Sequence, residues 1–225
     1  MKNIVIIGCG DSAPLAIEII HEQQQFNIVG FIDCKEPIGK VIFDYKIIGR
    51  DEDIGELTQK HCIDGAIIAI GDSWTRYKVA SRLKELSPEL TFFNLIHSSC
   101  IISKDAVLGE GILALPGCII ESGCKIGDHC YLGLRATLGH NGNFGDFVTI
   151  LGGSLTGGYT DIGDLSTLTL HVTAFDRVKI GRNTVVGASS LVTRSLPDNV
   201  LAYGSPAKII RTREDRDQIP RKKGK

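Results

Sequence analysis

From Ile96 to about Pro197 the 225-residue chain repeats every six residues without losing register. The first place of a row is aliphatic almost throughout, Phe144, Thr156 and the small Ala114 and Ala174 being the exceptions. Gly fills the second place at 109, 127, 133, 139, 145, 157, 163, 181 and 187. The fifth place is small or β-branched, as in Cys118, Cys124, Cys130, Ala136, Ser166 and Thr184. A period of six over this length is the signature of a hexapeptide β-helix, in which each row is one short strand and its turn. Three rows close a triangular coil, so residues eighteen apart stack roughly 4.8 Å over one another, the ordinary inter-strand spacing.

The repeat also decides how the seven cysteines read. Cys100, Cys118, Cys124 and Cys130 occupy fifth places, where a small inward side chain is wanted, and no C-x-x-C occurs. They are expected as core residues rather than a disulfide or zinc framework. A formal charge of -1 argues against nucleic acid as a partner. The only basic cluster is the tail Arg221-Lys222-Lys223-Gly224-Lys225, expected to be a solvated terminus. No apolar run approaches the roughly 20 residues of a membrane helix, and Met1-Lys2-Asn3-Ile4-Val5 lacks a secretory pattern. A cytoplasmic protein with no membrane span is expected.

Residues 1–95 follow a different grammar. Ile4-Val5-Ile6-Ile7 reads as a parallel strand buried on both faces, followed by Gly8-Cys9-Gly10-Asp11-Ser12-Ala13 and a helical spacing of Ala16, Ile17, Ile19 and Ile20. Strand, glycine-rich turn and helix open a nucleotide-binding βαβ unit. A second strand, Ile28–Ile32, leads to Asp33, where such folds place a ribose-binding acid. Residues 52–60 read as a short helix and Ala66–Ile70 as a third strand. Gly71-Asp72-Ser73 then turns into a helix from Trp74 to Leu86, with Ser73 as its N-cap. Gly8-x-Gly10 lacks a third glycine, so a purely structural turn stays open, and the unit is too short for a dinucleotide fold. Residues 198–225 leave the repeat; Pro197 and Pro206 are expected to break strand pairing. Leu196, Val200, Leu201, Ile209 and Ile210 are expected to cover the end of the prism.

The expected fold is therefore an α/β Rossmann-like βαβ domain, residues 1–95, followed by an all-β left-handed parallel β-helix, residues 96–197, with a cap and tail at 198–225. A β-helix is a scaffold, so function must be sought in sites on it. His140 takes the third, outward place of Leu138-Gly139-His140-Asn141-Gly142-Asn143, and eighteen residues on stands Gly158. An imidazole beside a bare backbone with an approachable N–H is the minimum geometry for acyl transfer. A surface histidine beside turn glycines is the alternative. His129, His140 and His171 share no stacking offset, which argues against a three-histidine zinc site of the β-helix carbonic anhydrase kind.

Several stretches together resemble the hexapeptide-repeat sugar acyltransferases of the sialic-acid O-acetyltransferase and bacillosamine N-acetyltransferase type. They are Gly8-Cys9-Gly10, Val29-Gly30-Phe31-Ile32-Asp33, Ile68-Ala69-Ile70-Gly71-Asp72, Leu95-Ile96-His97, the hexads, and Tyr203-Gly204-Ser205-Pro206-Ala207-Lys208. The resemblance implies a homotrimer with acetyl-CoA between subunits and a nucleotide-linked sugar on the N-terminal domain. It implies His140 as general base, with Asn141 beside it, taking a proton from a sugar amine or hydroxyl. It places Gly158, Thr149, Gly204, Ser205, Pro206, Ala207 and Lys208 at the cofactor, and Gly8, Gly10, Asp11, Ser12, Asp33, Gly71 and Asp72 at the sugar nucleotide. No metal is implied. The chain departs from the pattern in having Asn141 for an acid, Thr149 for a second His, and Gly10-Asp11-Ser12 for Gly-Gly-His. N-acetylation of a nucleotide-linked amino sugar is the leading expectation; O-acetylation of a sugar and a non-enzymatic nucleotide-sugar-binding protein are the alternatives.

Overall fold

A computed structural model describes residues 1–214; the basic cluster at 221–225 lies outside the described residues. The N-terminal layer runs β1 (Lys2–Ile7), α1 (Ala13–Gln23), β2 (Phe26–Ile32), β3 (Val41–Ile42), β4 (Tyr45–Gly49), α2 (Ile54–His61), β5 (Gly65–Ile68) and α3 (Ser73–Leu86). The sheet order is β3-β4-β2-β1-β5. All contacts within it are parallel except the β3–β4 hairpin. Ile4, Ile6, Val5 and Ile7 are fully buried, as a strand covered on both faces requires. The sequence reading missed β3 and β4. Their turn is Phe43-Asp44, both left-handed (φ 47° and 68°), a two-residue hairpin turn without the glycine that normally announces one. Ser73 is also not the cap of α3. Asp72 is, its carboxylate accepting the Thr75 N–H at 2.9 Å.

Beyond Leu95 the chain winds through two-residue strands that form three flat faces of a triangular prism. The first face begins at Leu95–Ile96, the second at Ile101–Ile102 and the third at Val107–Leu108. Each strand pairs in parallel with the one eighteen residues on, as in Thr137↔Leu155 and Leu138↔Thr156. The second residue of each pair points inward: Leu132, Leu138, Ile150, Leu168 and Val186 are all fully buried. The fifth-place residues fill the corners. Cys118, Cys124, Ala136, Ser166 and Thr184 have no exposure, and Ser166 Oγ donates to the Gly181 carbonyl at 2.6 Å, which removes the cost of burying a hydroxyl.

The second-place glycines have a steric cause. A Cβ on Gly127 or Gly145 would collide with the carboxylate of Asp146 or Asp164 on the next coil. Those same carboxylates accept the N–H of Asp128 at 2.8 Å and of Asp146 at 2.9 Å. Each acidic residue thus caps the turn of the coil before it, and glycine leaves it room.

At the far end the chain departs from expectation. Pro206 sits in the turn of a hairpin, Val200–Gly204 with Ala207–Thr212, rather than ending the sheet. Strand pairing continues through Val185↔Leu201 and Val186↔Ala202. Leu196, Val200 and Leu201 are buried, but Ile209 and Ile210 are about half exposed on the outer strand. Two residues expected over the prism end are therefore on the surface. Among the described residues no helix is long and apolar enough to cross a membrane.

The N-terminal layer rests on the first face. Leu113, Leu115 and Tyr131 share a core with Ile4, Ile6 and Ile17. His97 Nε2 meets Glu22 at 2.8 Å at the junction. His129, 5 % exposed, is held between Phe92 and Phe147 at ring distances of 4.7 and 4.9 Å. Burial, aided by Arg76 and Lys84, pushes its pKa down from 6.5 to about 4. Above pH 6.5 the ring is neutral folded or unfolded and adds no pH dependence. As pH falls from 6.5 towards 4, only the unfolded chain takes up the proton, so stability is expected to drop by about 3 kcal/mol. Melting temperature against pH should show this acid slope in the native chain and lose it in His129→Asn, a residue that tolerates the left-handed backbone here.

Candidate active site

Two separate clusters emerge. The first is at the vertex between the second and third faces. There His140 is exposed and lies directly over Gly158; a Cβ on Gly158 would stand 2.5 Å from His140 Nε2. Asp176 of the next coil approaches the same turn, its Oδ1 standing 2.3 Å from where a Gly157 Cβ would be. The His140 backbone is fixed from both sides: its N–H donates to Glu121 Oε2 at 2.8 Å, and its carbonyl accepts the Tyr159 N–H at 2.8 Å. Asn141 Nδ2 lies 3.0 Å from His140 Nδ1. The Tyr159 ring meets the imidazole edge-on at 5.2 Å, and Arg177 covers Tyr159 at 4.4 Å. The expected trio His140, Asn141 and Gly158 is thus assembled. Glu121, Tyr159 and Arg177 were not foreseen, although Tyr159 and Arg177 stand eighteen and thirty-six residues beyond Asn141 in the same column.

The second cluster lies at the carboxyl ends of β1 and β5. The chain leaves β1 for β2 on one side and returns as β5 on the other, so the crevice between these two strands is the topological switch point, the usual ligand site of an open parallel sheet. The loops Gly8–Ser12 and Gly71–Asp72 line it, with Ser12 Oγ 3.4 Å from where a Gly71 Cβ would stand. The peptide N–H groups of Gly10, Asp11, Ser12, Gly71 and Asp72 have no acceptor within the described residues. Gly8 has φ 87°, and a Cβ there would meet Ile70 Cγ1 at 2.8 Å.

Three expected ligands are otherwise engaged. Asp33 turns back on its own loops, accepting from Cys9 N at 3.1 Å, Cys9 Sγ at 3.2 Å, Lys35 N at 2.7 Å and Glu36 N at 3.1 Å. Burial alone would raise its pKa, but these donors outweigh it and the pKa is lowered. Asp33 is therefore a staple between the loops after β1 and β2. Asp72 is occupied as the α3 cap. Thr149 is fully buried on the first face, 3.1 Å from Ser73 Oγ and accepting from Arg76 Nη2 at 2.8 Å. It is on the face opposite the His140 vertex and does not join that cluster.

The turn Gly204-Ser205-Pro206-Ala207-Lys208 stands above the vertex between the first and second faces. Below it runs an apolar groove of about 620 Å³ lined by Leu134, Arg135, Leu170 and His171 with Gly152 and Gly153. Its volume falls in the range of small-molecule sites. His129, His140 and His171 occupy three different vertices, so one chain cannot bring them to a common ion.

Residues 3–83 match the PglD N-terminal domain family. Over 118 residues the chain is 30 % identical to the UDP-N-acetylbacillosamine N-acetyltransferase of Bacillus subtilis, covering 51 % of this chain and 52 % of that protein. A 40-residue stretch is 52 % identical to a galactoside O-acetyltransferase of Lactococcus lactis, 18 % of this chain and 19 % of that one. The chain thus spans between a fifth and a half of these curated relatives. A solved structure covers far more: a variant of perosamine N-acetyltransferase from Caulobacter crescentus, in complex with CoA and GDP-perosamine. It superposes with a TM-score of 0.87 at 28 % identity over 93 % of this chain and 97 % of that one. The chain is thus similar to sugar N-acetyltransferases over half its length in sequence and over nearly all of it in structure. The chain joins an N-terminal α/β layer to a left-handed parallel β-helix.

Proposed function

We propose that the chain is an acetyl-CoA-dependent N-acetyltransferase acting on a nucleotide-linked amino sugar in the cytoplasm. The observation that carries this reading is His140 Nε2 stacked on Gly158 at an exposed vertex. Acetyl-CoA, when bound, would supply a thioester carbonyl; the amine adds to it first, forming the C–N bond and an oxyanion, and the C–S bond then breaks to release the thiol. His140 Nε2 takes the proton that the attacking nitrogen must lose and can return it to the departing sulfur. The Gly158 N–H is the available donor for the developing oxyanion.

Asn141 decides which ring nitrogen can do this. As placed, its NH₂ donates to Nδ1, which leaves the ring hydrogen on Nε2. A half-turn of the amide presents its oxygen instead, holds the hydrogen on Nδ1 and frees Nε2 as the base. Being neutral, Asn141 does little to stabilise an imidazolium. An amine bonds to the carbonyl before it loses its proton, whereas a hydroxyl must lose it during attack, so this pair favours an amine acceptor.

The residues of one chain also imply a second copy. The base is at one vertex, the groove and hairpin turn at another, and the N-terminal crevice on the face opposite the base. A homotrimer that sets the His140 vertex of one copy against the groove of the next would complete the site. In that arrangement Leu134 and Leu170 offer apolar walls to the pantetheine arm, while Gly204 to Lys208 border the nucleotide end of the cofactor. Gly8, Gly10, Asp11, Ser12 and Gly71 face the acceptor's diphosphate.

The test is to incubate the purified chain with acetyl-CoA and UDP-, GDP- and dTDP-linked amino sugars, following thiol release. Turnover on at least one, with a product stable to hydroxylamine, is expected. A hydroxylamine-labile ester would indicate O-acetylation, and nucleotide binding without any turnover would favour a non-enzymatic role.

A further inference from the structure

Arg76 is only 2 % exposed and is the largest fully buried side chain among the described residues. The Asp72 carboxylate acts on its guanidinium only through space. A guanidinium has five N–H donors and no acceptor, and here all five are spent. Nε donates to the His129 carbonyl at 2.7 Å. Nη1 donates to the carbonyls of Ile70 at 2.8 Å and Gly71 at 3.0 Å. Nη2 donates to the Phe147 carbonyl at 3.0 Å and Thr149 Oγ1 at 2.8 Å. With no donor left over, Arg76 cannot itself clamp a phosphate.

Its acceptors fall into two groups. Ile70 and Gly71 belong to the loop after β5; His129, Phe147 and Thr149 belong to the prism. A trans peptide points its N–H opposite to its C=O. With the Ile70 and Gly71 carbonyls drawn to Arg76, the N–H groups of Gly71 and Asp72 must therefore face away from it. Those two donors lack an intramolecular acceptor among the described residues, and Ser12 stands beside them. Successive free N–H groups of this kind form a concave anion site.

Building on the nucleotide-sugar reading above, we propose that Arg76 is a positioning residue for the acceptor: it turns the Gly71 and Asp72 N–H groups towards the diphosphate and rivets that loop to the prism. The strut acts through the loop and touches no ligand.

Calorimetric titration with UDP, GDP, dTDP and, separately, CoA tests this on the full chain. Native protein, Arg76→Lys, Arg76→Met and Thr149→Val would be compared. Affinity for the nucleoside diphosphate that binds best is expected to fall about tenfold or more in both Arg76 variants, the scale of a lost charge-assisted hydrogen bond. The loss in Thr149→Val should be smaller, and CoA affinity should stay within about twofold, less than a single hydrogen bond's worth. If Arg76→Met does not fold, Arg76→Lys and Thr149→Val carry the comparison. Unchanged nucleotide affinity in those two overturns the positioning role alone. An equal loss for CoA overturns it too, since it would mark a general structural strut. A native chain that binds none of the three diphosphates overturns this proposal together with the nucleotide-sugar reading.

Discussion

Replacing His140 with alanine is expected to lower kcat by about a hundred- to ten-thousandfold, the usual contribution of a positioned general base. The KM for acetyl-CoA should change little, because His140 is one exposed ring on a vertex and not a wall of the groove. The melting temperature should also hold. The backbone of His140 is fixed by the Glu121 carboxylate and the Tyr159 N–H, and neither bond involves the ring. Steady-state thiol release and a thermal melt on the same preparation give both readings. Full activity in His140→Ala would remove the mechanism and leave only the scaffold.

Gly158→Ala should cost nearly as much without removing any catalytic atom. The added methyl would stand 2.5 Å from Nε2 and 2.6 Å from Cε1, so the imidazole must swing away from where it now lies. Misplacing a reacting group by an ångström can cost about a hundredfold in rate, and a loss of that size in kcat is expected. Gly55→Ala is the matched control, because a Cβ at Gly55 meets nothing within 4 Å. It should leave kcat unchanged and slightly raise stability, as alanine is the better helix former. If Gly158→Ala kept native kcat, the stacking of His140 on this glycine would have no catalytic meaning.

The repeat was readable because each inward place of a row meets the same packing demand, so the chain advertises its register. Register then gives columns, and columns alone place His140 over Gly158. Column arithmetic reports only neighbours within the prism and says nothing of contacts made from outside it. Thr149 looks like any outward threonine on a face; only the docking of α3 makes it a buried partner of Ser73 and Arg76. Asp33 has the right position for a ribose acid, and what the sequence does not show is that its carboxylate also accepts the N–H groups of Cys9, Lys35 and Glu36. Ser73 and Asp72 are both good caps, and burial of Ser73 against Thr167 at 3.0 Å decides between them. Ile209 and Ile210 looked like lids on hydrophobicity alone, but the continuing sheet places their strand outside. The hairpin at Phe43-Asp44 lacked the usual glycine, and Asp44 alone did not announce it.

The ladder of acidic caps makes each coil lean on the next, and this gives the prism the properties of a graduated rod. Tyr131 and Thr149, which dock the N-terminal layer, belong to the same stretch of coils as His140, so the distance from acceptor crevice to base is set locally. The hairpin turn lies several coils further on. Deleting eighteen residues between Gly158 and Val200 would draw that turn closer by roughly 4.8 Å and keep every vertex in phase. Deleting six would rotate everything beyond the cut by a third of a turn and carry the turn off its groove. The distance between the His140 vertex and the hairpin turn is therefore quantised in whole coils, each adding roughly 4.8 Å.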